Sequence, residues 1–260
     1  MQSDAHRTAA GSPRQGLLWQ LLAEALRSVS AVSAVSAGSA GSAVGAGHAA
    51  PSVLDCGGGS GSFAVPLAQA GARVTVVDIS ADALATLRRR AEDAGVAARV
   101  EAVQGDVETL TDAVGTASFD LVLAHGILGA VDHVAPAFDA IAATVRPDGL
   151  LSVLVANAVA GVLARALAGE LDAALVGLRA LDSGFGPPGP PAVLALSRAA
   201  GLVVEAVHGI GAFSDLVRGH ALDDPGARAA LLSLDVEGAT RAPFSEIAAR
   251  VHLLARRPAA

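Results

Sequence analysis

Apolar residues follow two different periods along this chain. Leu17, Leu18, Leu21, Leu22, Ala25 and Leu26 recur three and four residues apart around Trp19, which predicts an amphipathic helix over residues 1–27 once a polar start has passed. From Ser28 onward large side chains vanish, and Ser, Ala, Val and Gly repeat up to Ala49, a composition that predicts a flexible insert over 28–50. At Pro51 the texture changes to short apolar runs alternating with helical stretches. Strands are expected over Ser52 to Leu54, Val74 to Val77, Arg99 to Val103, Leu121 to Ala124 and Leu150 to Val155. Helices are expected after the first strand's glycine cluster, over Ala81 to Ala94 and over Val134 to Val145. Such alternation implies a parallel sheet covered on both faces, an α/β fold.

Beyond Asn157 the order changes. Gly161 to Leu181 reads as one or two helices, and Gly184 to Pro191 (GFGPPGPP) as a rigid non-helical turn, so that residues 158–191 would form a small cap. A helix over Ala192 to Ala200, a strand over Leu202 to Val207, a helix over Ala227 to Leu234 and a strand over Arg250 to Ala255 complete the expected domain over 51–260.

Composition narrows the function classes. In 260 residues, 52% hydrophobic, no apolar run is long enough and free enough of charge to span a bilayer. The N-terminus has no compact apolar region before a small-residue cleavage site, and the cytoplasm is the expected compartment. One cysteine, Cys56, permits no intrachain disulfide and no cysteine-built zinc site; it reads as a small buried filler, and no metal is expected. All eighteen basic residues are Arg, and the net charge of -7 speaks against a general nucleic-acid-binding field.

Candidate chemistry concentrates in Val53-Leu54-Asp55-Cys56-Gly57-Gly58-Gly59-Ser60-Gly61, a strand that ends in an acid and a glycine-rich turn. Glycines let a ligand approach the backbone with no Cβ in the way. A dinucleotide fingerprint, G-x-G-x-x-G, would need a glycine where Ser62 stands. Asp55 directly before the loop would repel a pyrophosphate and attract an ammonium or sulfonium. The next strand ends at Asp78, placed to accept hydrogen bonds from vicinal ribose hydroxyls. The third leads into Gln104-Gly105-Asp106-Val107, whose acid could read an adenine edge or merely cap a helix.

Taken together, Asp55 to Gly61, Asp78, Gly105-Asp106, Phe119-Asp120-Leu121-Val122 and Arg146-Pro147-Asp148-Gly149 resemble the ordered motif set of class I methyltransferases dependent on S-adenosylmethionine. The resemblance implies a Rossmann-like, seven-stranded, mostly parallel doubly wound sheet with an antiparallel last strand. It also implies S-adenosylmethionine as cofactor, with Gly57, Gly58, Gly59 and Gly61 against the methionine part and Asp55 ordering the loop and the methionine amino group. Asp78 and Ile79 would lie at the ribose, and Gly105, Asp106 and Val107 at the adenine.

Arg14 to Trp19, Leu54 to Gly59, Leu123 to Leu128, Asn157-Ala158, Ala168 to Asp172 and Ile247 to Pro258 are similar, more closely, to the bacterial tRNA 5-carboxymethoxyuridine methyltransferase family. That similarity implies that Arg14 contacts the cofactor carboxylate and that His125 lines the cofactor and acceptor cavity. His125 is also the one candidate catalytic base. Where that family carries a Lys-rich segment in the cap, Leu181 to Pro191 contain neither Arg nor Lys, so a modified tRNA nucleoside and a small metabolite both stay open as acceptors. A non-catalytic S-adenosylmethionine-binding module and a nicotinamide-dependent oxidoreductase are the competing readings. Asn157 could bond an acceptor or stop its strand, and His208, His220 and His252 read as structural.

Overall fold

The structure, a computed structural model, describes residues 13–39, 50–183, 187–217 and 224–259. Helix α1 (Pro13–Ser39) carries the expected stripe, with Leu17, Leu18, Leu22, Ala25 and Leu26 buried. It does not stop at Arg27. The stripe continues through the buried Val29, and Ser30 Oγ donates back to Leu26 O at 2.7 Å, so a serine here is absorbed by the helix. Small residues without proline let the helix run on into the segment expected to be a flexible insert. Residues 40–49, the rest of that segment, lie outside the described residues.

The following elements are β1 (Ser52–Cys56), α2 (Ala64–Gln69), β2 (Arg73–Asp78), α3 (Ala81–Asp93), β3 (Val100–Gln104), α4 (Leu110–Val114), β4 (Phe119–His125), α5 (Val134–Thr144) and β5 (Val145–Ala156). Then come α6 (Ala158–Leu167), α7 (Leu171–Ser183), α8 (Pro190–Ala199), β6 (Val203–Ile210), α9 (Pro225–Gly238) and β7 (Arg250–Arg256). The strands form one seven-stranded sheet in the order β3-β2-β1-β4-β5-β7-β6. β1 pairs in parallel with β2 and with β4, and β2 with β3. The last strand is antiparallel: Asp148 N–H donates to Arg257 O, and Asn157 N–H to Ala249 O, so partners descend in number as β5 ascends. Glu205 meets Arg256, and His208 meets His252, in the same descending sense between β6 and β7.

The chain divides into two compact units, Met1–Leu21, Leu154–Leu194 and Ala206–Leu253 in one, and Leu22–Val153, Ala195–Glu205 and Leu254–Ala260 in the other. The second holds the central strands, whose near-continuous burial (every residue of β4 before His125) is what coverage on both faces demands. Helix α3 shows how local signals set an element. Ser80 caps it by accepting from Ala83 N–H, Asp82 sits in the first turn and Arg90 in the last, and Leu84, Leu87 and Ala91 are buried on one face. In the first unit α6 and α7 are the two helices expected over 161–181, and proline opens α8 at Pro190 where its missing N–H costs nothing. Among the described residues no helix is long and apolar enough to cross a membrane.

Candidate functional site

Because β2 and β3 are added on one side of β1 and β4 on the other, the order of strand addition reverses between the parallel β1 and β4, and a crevice opens at their carboxyl ends. The loop after β1 fills that position. Gly57 N–H donates to Val77 O (2.7 Å), Gly59 N–H to Asp78 Oδ2 (2.9 Å) and Gly61 N–H to Gly58 O (3.0 Å). Gly57, Gly59 and Gly61 all have positive φ, the alternation that lets the backbone fold this tightly. Gly58 is glycine for a different reason. A Cβ there would stand 2.5 Å from the Asp55 carboxylate beneath it.

A cleft of about 250 Å³ adjoins the loop and is lined by Gly57, Asp78, Ile79, Gly105, Asp106 and Val107, six of the expected cofactor residues. Glu108, Ile127, Ala130, Val131 and Asp132 complete it and were not expected. Asp78 faces the cleft while both of its oxygens accept backbone N–H groups, Oδ2 from Gly59 and Oδ1 from Ser80 (2.8 Å). Each oxygen keeps a lone pair for a further donor. Asp106 caps the short turn after β3 by accepting from Glu108 N–H, and Glu108 in turn accepts from His133 N–H at 3.0 Å. Asp106 therefore caps a turn and also lines the cleft.

The lining fits a nucleoside carrying positive charge. Four carboxylates, Asp78, Asp106, Glu108 and Asp132, face the cleft, and the described lining contains no Arg. An anionic pyrophosphate would meet repulsion here; hydroxyl and amino donors or a sulfonium would not. Ile79, a large apolar side chain left 70% exposed beside Asp78, together with Ile127 and Val131, offers a flank against which a flat base can pack.

Asp55, Gly58, Gly59, Gly61 and His125 are not among the cleft-lining residues. Asp55 is 1% exposed, and its Oδ2 is sealed from solvent without a donor among the described residues. Burial, and then the neighbouring charge of Asp78, push its pKa from an ordinary 3.8 to about 7. An acid raised on folding keeps its proton in the native state while the unfolded chain releases it, so the folded state loses stability as pH rises from about 4 to about 7. Asp55→Asn removes that dependence. The thermal midpoint of the ligand-free variant is expected to exceed the parent's at pH 8 and to match it near pH 4, the full difference being of the order of 4 kcal/mol at most. Thermal unfolding across that pH range checks it. Burial and then Asp55 hold the Cys56 thiol well above its usual range, so this cysteine is a protonated filler and not a nucleophile.

His125, at the end of β4, shares a 2.8 Å hydrogen bond through Nε2 with Ser152 Oγ, and its ring meets Phe63 edge-on, centroids 4.8 Å apart. Desolvation lowers its pKa to about 3. A neutral imidazole with so little affinity for a proton is a poor general base at pH 7. The side chain of Arg14 lies outside the described residues, as do the whole of His220 and the residues Gly184 to Gly186 of the expected turn.

Two of the motifs behind the resemblance never touch the cleft and meet each other instead. Asp120 accepts from Ser52 N–H (2.7 Å) and Ser52 Oγ (2.6 Å), and pairs with Arg146 at 2.6 Å, tying the starts of β1, β4 and β5 together at the opposite edge of the sheet. Gly149 is required there because a Cβ would come within 2.9 Å of Arg146 O and 3.0 Å of Phe119 O. Asn157 is likewise structural. Its Nδ2 donates to Glu246 O and Ala248 O, while its Oδ1 caps α6 through Val159 N–H. His208 and His252 stack on each other, centroids 5.6 Å apart.

Residues 53–149 match the family described as Methyltransferase domain, a stretch that contains the glycine loop and every residue lining the acidic cleft. The matched stretch is a methyltransferase domain with a Rossmann-like fold, and it supports the enzyme class of S-adenosylmethionine-dependent methyltransferases. It is 26% identical, over 257 residues, to the tRNA 5-carboxymethoxyuridine methyltransferase of Escherichia coli (strain K12), spanning 96% of this chain and 90% of that protein. Among solved structures the fold resembles the [4+2]-cyclase SpnF (TM-score 0.53, 18% identity, 81% of this chain and 76% of that one). It also resembles geranyl diphosphate methyltransferase in complex with SAM (TM-score 0.53, 16% identity, 80% and 78%).

Proposed function

We propose that the cleft binds S-adenosylmethionine, and that the enzyme esterifies an acceptor carboxylate, that of a 5-carboxymethoxyuridine in tRNA. The observation that carries the acceptor is the end-to-end similarity to the Escherichia coli enzyme, which covers both units and not the cofactor half alone. The site chemistry agrees. When bound, the cofactor supplies a methyl group activated by its sulfonium. With His125 neutral and held near 3, the acceptor should arrive already ionised, and a carboxylate does so above about pH 4.

In this reading Asp78 receives the ribose hydroxyls, Asp106 and Val107 face the adenine beside Gly105, and Ile79 packs on the base. Gly57 and Gly59 bring backbone close to the methionine part. Asp55 beneath Gly58 sets the loop's shape and, once ionised, adds negative charge toward the methionine amino group. Arg14 is assigned to the methionine carboxylate, and His125 to the wall behind the loop. Residues 158–191, which expose Leu163, Leu167, Leu171 and Leu175, are assigned to acceptor recognition.

A second reading, a small carboxylate metabolite as acceptor, is favoured by the absence of Lys, the charge of -7 and the absence of Arg from Leu181 to Pro191, because phosphate affinity is largely a sum over cationic side chains. Incubating the protein with S-adenosylmethionine and tRNA bearing the free acid, then analysing nucleosides by mass spectrometry, separates the two. A methyl ester on the wobble uridine is the expected result. Its absence, with transfer to a free carboxylic acid, would replace the first reading by the second.

A further inference from the structure

Beside the cleft, helix α3 is fastened to the cofactor loop by a contact that lies outside the ligand-facing motifs. Arg90, in the helix's last turn, donates through Nη1 to Ser60 O at 2.9 Å and approaches Ser60 Oγ at 3.4 Å. Ser60 is the one residue between Gly57 and Gly61 that has a side chain. The loop's other anchors come from beneath and beside it: Val77 O holds Gly57, Asp78 holds Gly59, and Gly58 O holds Gly61. One turn before Arg90, Leu87 packs under Gly61 so closely that a Cβ on that glycine would lie 2.2 Å from Leu87 Cδ1. At its other end the same helix begins at Ser80, whose N–H is received by Asp78. Helix α3 is thus bound to the site at both ends, to the ribose-facing acid at its N-terminus and to the glycine loop at its C-terminus.

We propose that Arg90 is a positioning residue for the cofactor: its guanidinium holds the Ser60 carbonyl so that the Gly57–Gly61 backbone keeps a ligand-ready shape. The proposal rests on the assignment of this cleft to S-adenosylmethionine. The physical ground is the loop's own composition. Four glycines in five residues pay a large ordering entropy, and a charge-assisted hydrogen bond to the fifth removes freedom that a ligand would otherwise have to remove on binding. The bond lies at the surface and supports no core side chain, so its loss should be felt by the loop far more than by the fold.

The test compares the parent, Arg90→Ala and Arg90→Lys by calorimetric titration with S-adenosylhomocysteine and by amide hydrogen exchange without ligand. Arg90→Ala is expected to weaken binding about 5- to 10-fold, with exchange at Gly57 to Gly61 accelerated and the thermal midpoint nearly unchanged. Arg90→Lys, which can still reach one carbonyl, should recover part of both effects. Unchanged loop exchange in the ligand-free alanine variant would overturn the proposal, and so would a uniform rise in exchange with a fallen midpoint, which marks a merely structural role. Failure of the parent to bind S-adenosylhomocysteine would instead refute the cofactor assignment, while the ligand-free exchange still tests the tether.

Discussion

Asp78→Ala should reduce affinity for S-adenosylhomocysteine by about 100-fold, the largest binding effect expected of any single substitution in the cleft. The carboxylate is asked to do two jobs. It faces the cleft, where charged acceptors for hydroxyl donors are each worth about 1.5–3 kcal/mol, and it accepts the N–H groups of Gly59 and Ser80 from either side. Alanine removes the ligand contact and frees the loop and the start of α3 together. Asp78→Asn, which keeps one acceptor oxygen, should lose about tenfold. Removing the charge has a further consequence beneath the loop, because Asp78 is one of the two causes holding the Asp55 pKa high. Titration calorimetry on both variants checks the ranking, and an alanine variant within threefold of the parent would take the ribose role away from this residue.

Gly61→Ala is expected to produce the largest loss of stability, about 2–4 kcal/mol, or a fall in thermal midpoint of roughly 5–10 °C. Two costs add. Gly61 has φ of +79°, where an L side chain is strained, and its Cβ would stand 2.2 Å from the terminal methyl of Leu87, itself fully buried in α3. Gly95→Ala separates the two terms. It has φ of +70° with nothing within 4 Å of the added Cβ, so it should carry the backbone cost alone, about 1 kcal/mol. Thermal denaturation of the pair measures the difference, and equal losses would show that Leu87 yields freely.

The fold was legible where periodicity and punctuation agreed. Each of β1 to β7 appears within a few residues of its expected place, and the glycine loop lies at the carboxyl end of β1 as its motif requires. The largest departure, α1, has a physical cause. Repetition of Ser, Ala and Val was read as flexibility, yet alanine favours helix, and the stripe that buries Leu22 and Leu26 continues through Val29. β5 starts at Val145, before the apolar run, because pairing of Asp148 and Gly149 with Arg257 extends it through a polar stretch.

Four of the cleft's eleven lining residues escaped for a different reason. The expected residues came from the loops after β1, β2 and β3, where acids and glycines draw attention. Ile127, Ala130, Val131 and Asp132 belong to the loop after β4, which carries no such signature. The topology supplies the missing signal, since the strand that neighbours β1 on its other side must send its own loop into the same crevice. His125, the last residue of β4, is the side chain whose chemistry stands out in the sequence just before that loop. Gly126, with φ of +80°, turns the chain so that His125 stays behind with Phe63 and Ser152 while Ile127 reaches the cleft. Side chains one and two residues apart at a strand end occupy different surroundings, and residue type alone does not say which one a ligand will meet.

The placement of β7 between β5 and β6 bears on how the protein is made. The four strands β3, β2, β1 and β4, with the loops that line the cleft, are all encoded by residue 132, and they can associate as they emerge. Among the described residues β6 has no neighbour except β7, and β7 follows the other six strands of the sheet in the chain. Until it arrives, β5 presents an unpaired flank and β6 has nothing to join, so the nascent chain passes through a stage with a nearly assembled nucleoside half and an open sheet edge, the kind of surface that chaperones engage and that aggregation exploits.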